Sequence, residues 1–141
     1  MKLATSFAEN KTAQLWQRFM PRRKEIANSL SSDLISMQIY PSNFDFNPNT
    51  LFEKWAAVEV TDFSTVPDQM ETFLLTEGLY AMFDYKGSSN DTRIFQYIYT
   101  EWLPNSSYQF DNRPHFEVLG TKYKNGSSDS EEELWIPVKP K

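Results

Sequence analysis

Leu15-Trp16-Gln17-Arg18-Phe19-Met20-Pro21 and Ile98-Tyr99-Thr100-Glu101-Trp102-Leu103-Pro104 carry one pattern, 83 residues apart. In each, two adjacent apolar residues recur four positions later and a proline follows at once. That spacing places the apolar residues on one stripe of an amphipathic helix. Three further blocks match in the same order. Glu53-Lys54-Trp55-Ala56-Ala57-Val58 matches Glu133-Leu134-Trp135-Ile136-Pro137-Val138 at an offset of 80. Ile35-Ser36-Met37-Gln38-Ile39-Tyr40 falls over His115-Phe116-Glu117-Val118-Leu119-Gly120, also at 80, which sets Met37 over Glu117. Leu3 and Phe7 fall over Leu79 and Phe83 at 76. Ordered self-similarity of this kind points to a repeated architecture.

Each half then reads as strand, helix, strand, strand. Leu79 to Tyr85, rich in aromatic residues and bounded by Gly78 and Gly87, suits a strand. Asp91 can take up the orphan amides of a helix carrying Ile94, Phe95, Ile98, Tyr99, Trp102 and Leu103 on one stripe. Pro104 ends or turns that helix. The first-half helix begins near Thr12, and Pro21 opens a second helical segment from Arg22 to Leu30. Residues 41–50 form a loop, 62–69 join the halves, and Met70 to Leu75 form a hairpin with the strand after Gly78. Lys122 to Glu132 is a polar loop before the last strand. The expected fold is α+β, one domain over residues 1–141. It is a tandem βαββ repeat with pseudo-twofold symmetry, halves at about 1–62 and 77–141, mostly antiparallel sheets, two main helices and a groove between the halves.

Composition narrows the function. The 141 residues hold 14 Lys+Arg against 19 Asp+Glu, a formal net charge of −5. No basic stripe is available to track phosphates, so nucleic acid is not an expected partner. There is no cysteine and one histidine, His115, which excludes disulfides, thiolate chemistry and multi-histidine metal sites. No cofactor is expected. No apolar run reaches membrane-spanning length and no secretory signal is visible, so a cytoplasmic protein with no membrane partner is the expectation. Aromatic residues make up 16% of the chain, more than one core usually needs, which suits a lined pocket or interface.

Glu117 stands out as a carboxylate in the apolar strand Phe116-Glu117-Val118-Leu119. Alternation puts it on one face with His115 and Leu119. On an exposed face it is unremarkable. On the groove side, a desolvated carboxylate makes an incoming cation valuable, and neighbouring rings would add about 0.5–2 kcal/mol per cation–π contact. Tyr80, Tyr99 and Trp102 from the second half, with Trp16 and Trp55 from the first, are the natural aromatic lining. Core packing is the bland reading of each. His115 reads as a surface ring at a strand start, and Glu131-Glu132-Glu133 as an exposed acidic loop.

The ordered set Gly78-Leu79-Tyr80-Ala81-Met82-Phe83, Tyr99 to Pro104, Asp111-Asn112-Arg113-Pro114-His115-Phe116-Glu117-Val118 and Leu134-Trp135-Ile136-Pro137-Val138 resembles the GyrI-like family, the effector-binding domain of bacterial transcription activators. Leu15 to Pro21 resembles the form found in its stand-alone members. The resemblance implies paired βαββ units with a ligand groove between them. It also implies a buried glutamate, here Glu117, as the anionic anchor for cationic aromatic ligands. No helix-turn-helix region is expected ahead of the domain, so the chain is not expected to act as a transcription regulator by itself. The leading expectation is small-molecule binding, with catalysis left open. Alternatives are a hydrolase of reactive small molecules, with Glu117 as general base and Tyr80 or Tyr99 as hydrogen-bond donor, or a modulator of gyrase.

Overall fold

The computed structural model describes residues 1–141. Its seven strands are β1 (Lys2–Thr5), β2 (Leu34–Ile39), β3 (Phe52–Ala57), β4 (Tyr80–Lys86), β5 (Tyr108–Phe110), β6 (His115–Leu119) and β7 (Glu131–Pro140). Six lie in the order β1-β3-β2-β6-β7-β4, and β5 pairs with the far end of β7. Every pairing is antiparallel. The fold is α+β, as expected, with a single open sheet covered by helices on one face.

Two helical segments supply that cover. The first is α1 (Thr12–Phe19), followed by a 3₁₀ turn at Met20–Glu25 with Pro21 near its start. This second piece stops at Glu25, short of the expected Leu30. The other segment is α2 (Arg93–Tyr97), a π turn over Ile98–Trp102, and a closing turn, α3 (Leu103–Asn105). Asp91 starts it by accepting the Arg93 N–H at 3.0 Å through its carboxylate. The Leu103 N–H reaches back five residues to the Ile98 carbonyl. That widened turn comes just before Pro104, which offers no N–H and whose ring needs room at the Thr100 carbonyl.

Strand alternation divides the sheet into two chemically different faces. Residues paired across strands share a face. Leu134 pairs with Phe83 and Glu117, and Lys54 with Gln38 and Leu3, so all of these look toward the helices. Under α1 the core is Leu15, Phe19 and Ala56. Under the second helix it is Ile98, Leu103, Leu134, Ile136 and Val138. Met37, Trp55, Phe116 and Trp135 look the other way, because Met37 pairs with both Trp55 and Phe116, and Phe116 with Trp135.

This corrects one expectation directly. Met37 and Glu117 sit on opposite faces: Met37 pairs with Phe116, and Glu117 with Ser36. The offset of 80 at that block is therefore one residue out of step with the pleat, and a one-residue slip reverses every side chain. Two others change as well. The hairpin expected at residues 70–75 is absent. That stretch has no regular secondary structure and no strand partner, and it crosses the outer face, where Phe73 meets Trp55 at a centroid distance of 5.6 Å. Phe73 covers the buried Trp55 ring while itself staying more than a third exposed, so the stretch is held by a side-chain contact rather than by strand pairing. The acidic run Glu131–Glu133 belongs to strand β7, not to a loop.

Phe19 has no exposed surface and anchors α1. Phe19→Ala is expected to cost about 3–5 kcal/mol, read as a lower urea midpoint at unchanged slope.

Candidate ligand-binding site

The helix-facing side of the sheet is apolar under each helix and polar between them. Gln38 from β2, Lys54 from β3, and His115 and Glu117 from β6 line one cavity of about 280 Å³. Alternation explains the grouping: Gln38 pairs with Lys54 on one side and with His115 on the other. Glu117 is half-buried, not fully buried. Its Oε2 accepts a hydrogen bond from the Gln38 Nε2 at 3.0 Å. Gln38, Lys54 and His115 are each less than a tenth exposed.

Aromatic rings form the walls. Tyr99 enters from the π turn, and its ring lies 5.2 Å from both Phe46 and Phe110. Tyr40, at the end of β2, stacks on Phe44 at 4.6 Å and 12° and meets His115 edge-on at 5.0 Å. Phe46 holds its place with a φ of +60°, a left-handed backbone that a bulky residue rarely adopts. The β2–β3 loop thus keeps one ring over the cavity at a cost in backbone strain.

The electrostatics of this region are coupled. Burial pulls the Lys54 amine below its usual range, while the charges of Glu117 and Glu132 hold it up. Lys54 takes part in none of the ion pairs within 4.0 Å. The Glu132 carboxyl is pushed up to about 7, first by burial and then by Glu117, with Lys54 opposing. His115 is driven down to about 4 by burial. Burial, then neighbouring Tyr99 and Glu117, raises the Tyr40 hydroxyl well above its usual value. The His115 Nδ1 and Glu132 Oε2 are buried without a hydrogen-bond partner. Such atoms are rare in native proteins and call for a water, an ion or a ligand.

Of the residues singled out in the sequence, the structure brings Glu117 and Tyr99 together. Tyr80 and Trp55 lie on the outer face. Tyr80 is engaged there: its hydroxyl donates to the Pro114 carbonyl at 2.9 Å, and the Arg113 guanidinium sits 4.6 Å over its ring. Trp102 packs edge-on against Phe83 at 5.1 Å within the core, and Trp16 packs edge-on against Phe19 at 5.7 Å. Neither lines the cavity. Core packing claimed these two because both sit on the helix stripes that cover the sheet. Sequence reasoning missed Gln38, Lys54, Tyr40, Phe46 and Glu132, and it read His115 as a surface ring. One signal pointed to Lys54: in the matched blocks it falls over Leu134, a charge set against an apolar residue.

The shifts make opposite contributions to stability. Glu132 titrates at about 7 in the fold against 4.5 for a free carboxyl, so the native state holds the extra proton between those values. Its contribution therefore falls as pH rises from about 4.5 to 7. His115 is depressed to about 4 from 6.5, so its contribution is intact above 6.5 and lost as pH falls toward 4. Glu132→Gln is expected to stabilise the protein more at pH 8 than at pH 5 in urea unfolding, whereas His115→Asn flattens the acid limb. A Glu132→Gln effect equal at both pH values would contradict a protonated, buried carboxyl.

Three comparisons place this geometry among known proteins. A 30% identical relative over 127 residues is the transcriptional regulator BrlR of Pseudomonas aeruginosa; the match covers 89% of this chain but 45% of that protein. The chain thus spans about half the length of that relative. The solved structure of SAV2435 bound to tetraphenylphosphonium superposes with a TM-score of 0.71 at 17% identity, over 99% of this chain and 86% of that one, which is a likeness of fold. The family model for Cass2, the integron-associated effector binding protein, matches residues 2–138. With nearly its whole length matched, the chain belongs to this family of effector-binding proteins, and the GyrI-like resemblance of its motifs holds.

Proposed function

We propose that the chain binds an aromatic, positively charged small molecule in the helix-face cavity, with Glu117 as counter-charge and Tyr40, Tyr99 and Phe46 as stacking walls. The observation that carries this reading is the half-buried Glu117 carboxylate in a ring-lined cavity, beside a histidine nitrogen without a partner. Membership of an effector-binding family supports ligand binding. The neighbour of like fold was solved with a lipophilic cation, which supports the charge class.

The charge balance favours a cation too. Lys54 supplies one positive charge against the carboxylates of Glu117 and Glu132. When Glu132 ionises above about 7, the region carries one excess negative charge. Rings and carboxylate then act on the same ligand, each ring adding about 0.5–2 kcal/mol to the Coulomb attraction.

Isothermal titration at pH 8 with tetraphenylphosphonium and the neutral triphenylphosphine oxide tests the assignment. Glu117→Gln is expected to weaken the cation about tenfold, equivalent to ~1.4 kcal/mol, and to leave the neutral compound nearly unchanged. Equal loss for both compounds would remove charge recognition by Glu117 from the reading.

A further inference from the structure

The outer face of the sheet encloses a second, larger cavity. It measures about 690 Å³, within the range of roughly 300–1,000 Å³ typical of ligand pockets, whereas the helix-face cavity lies just below it. Its floor is the aromatic band of β3, β6 and β7: Phe116 stacks on Trp135 at 5.5 Å and 10°, and Trp55 is 4% exposed. Its roof is the connection between the sheet's two halves, which crosses this face and presents Phe63, Val66 and Phe73. From Glu71 to Gly78 that connection makes no backbone hydrogen bond. Side chains hold it instead: Phe73 rests on Trp55, and Glu71 pairs with Lys2 at 3.4 Å. A segment so held can open at small cost.

The charge of the cavity is one-sided. Asp33, Glu59, Asp62, Glu71 and Glu133 line it, and no lysine, arginine or histidine does. The one cation on its wall, the Met1 ammonium, donates to the Ala56 carbonyl at 2.8 Å. The Trp135 indole N–H donates to Glu133 at 3.1 Å, fixing a carboxylate at the edge of the stacked rings. The chain already uses this surface for a cation: the Lys2 ammonium sits 5.5 Å over the Trp55 ring.

We propose that this outer cavity is a second binding site, for a bulky apolar cation, independent of the Glu117 cavity. Carboxylates in excess over Lys2, which pairs with Glu71 alone among them, select the charge, the aromatic floor supplies cation–π and dispersion contacts, and the weakly held roof admits the ligand. An anionic or strongly polar ligand has no partner there.

The test follows the Trp55 indole N–H by ¹⁵N–¹H NMR, since Trp55 lines the outer cavity and not the inner one. Tetraphenylphosphonium is titrated into the wild type, Glu117→Gln, Glu133→Gln and Val118→Trp. The expected result is a saturable Trp55 shift in the wild type that persists in Glu117→Gln. It weakens up to about fivefold in Glu133→Gln, the scale of a partly exposed charge pair. It disappears in Val118→Trp, which fills the floor, with Glu133→Gln the safeguard should that variant fail to fold. A Trp55 signal that never moves, or one lost together with Glu117, overturns the second site. Failure of the Glu117 reading is seen separately, as inner-cavity resonances such as the Gln38 side-chain amide that stay still while Trp55 shifts.

Discussion

The ladder between β2 and β6 is the only strand pairing that joins β1, β2 and β3 to the remaining four strands. Both cavities are built on it. Where Ser36 meets Glu117 and Gln38 meets His115, the ladder shows polar groups to the helices. Where Met37 meets Phe116 and Ile35 meets Val118, it shows apolar groups to the outer face. The register of five residue pairs thus decides which chemistry lies on which side. A slip of one residue would bury the apolar set among charges and turn Glu117 outward.

A junction half made of polar side chains contributes little hydrophobic stabilisation. That comes from the flanks, where α1 covers Ala56 and the second helix covers Leu134, Ile136 and Val138. The helices pack on the two ends of the sheet face and leave its middle to Gln38, Lys54, His115 and Glu117. The cavity is therefore the gap between two small cores. Desolvated groups collect there, and Lys54, Glu132 and His115 all shift toward their neutral forms through burial. The Phe46 backbone at φ +60° adds strain at the same place. Stability given up in this way is a common mark of a binding site.

The sequence made the element order legible because periodicity reports local geometry. The helix stripes at Leu15–Met20 and Ile94–Leu103 and the strand carrying Glu117 all lie where their patterns put them. Long-range register was not legible. Matching Met37 to Glu117 was sound as a pattern and wrong by one residue as a face, since spacing along one strand carries no information about its cross-strand partner. The same limit hid which face each aromatic residue takes. Tyr80 and Trp55 share strands with residues of the helix face, but the pleat turns them outward. Lys54 went unread because a lysine in a strand usually marks solvent, and its match to Leu134 was a single faint signal; the pairing Gln38–Lys54–Leu3 puts it on the helix face, where it is buried. Phe46 lay in a stretch rich in Asn and Pro, where nothing local predicts that a loop will fold back over a cavity.

In the function proposed above, Lys54 is the residue that would set selectivity. A lone carboxylate in an apolar groove would attract any small cation. With Lys54 nearby, the attraction of Glu117 is partly satisfied before a ligand arrives, and a simple ion gains little by competing. An aromatic cation brings dispersion and cation–π contacts with Tyr40, Tyr99 and Phe46 that Lys54 cannot supply from its own strand. On the proposed reading, the protein's own ammonium sets a threshold that a ligand combining charge with ring surface exceeds. Glu132, with its carboxyl at about 7, adjusts that threshold near neutrality. Its protonation lowers the negative potential around the cavity and leaves Lys54 and Glu117 in balance.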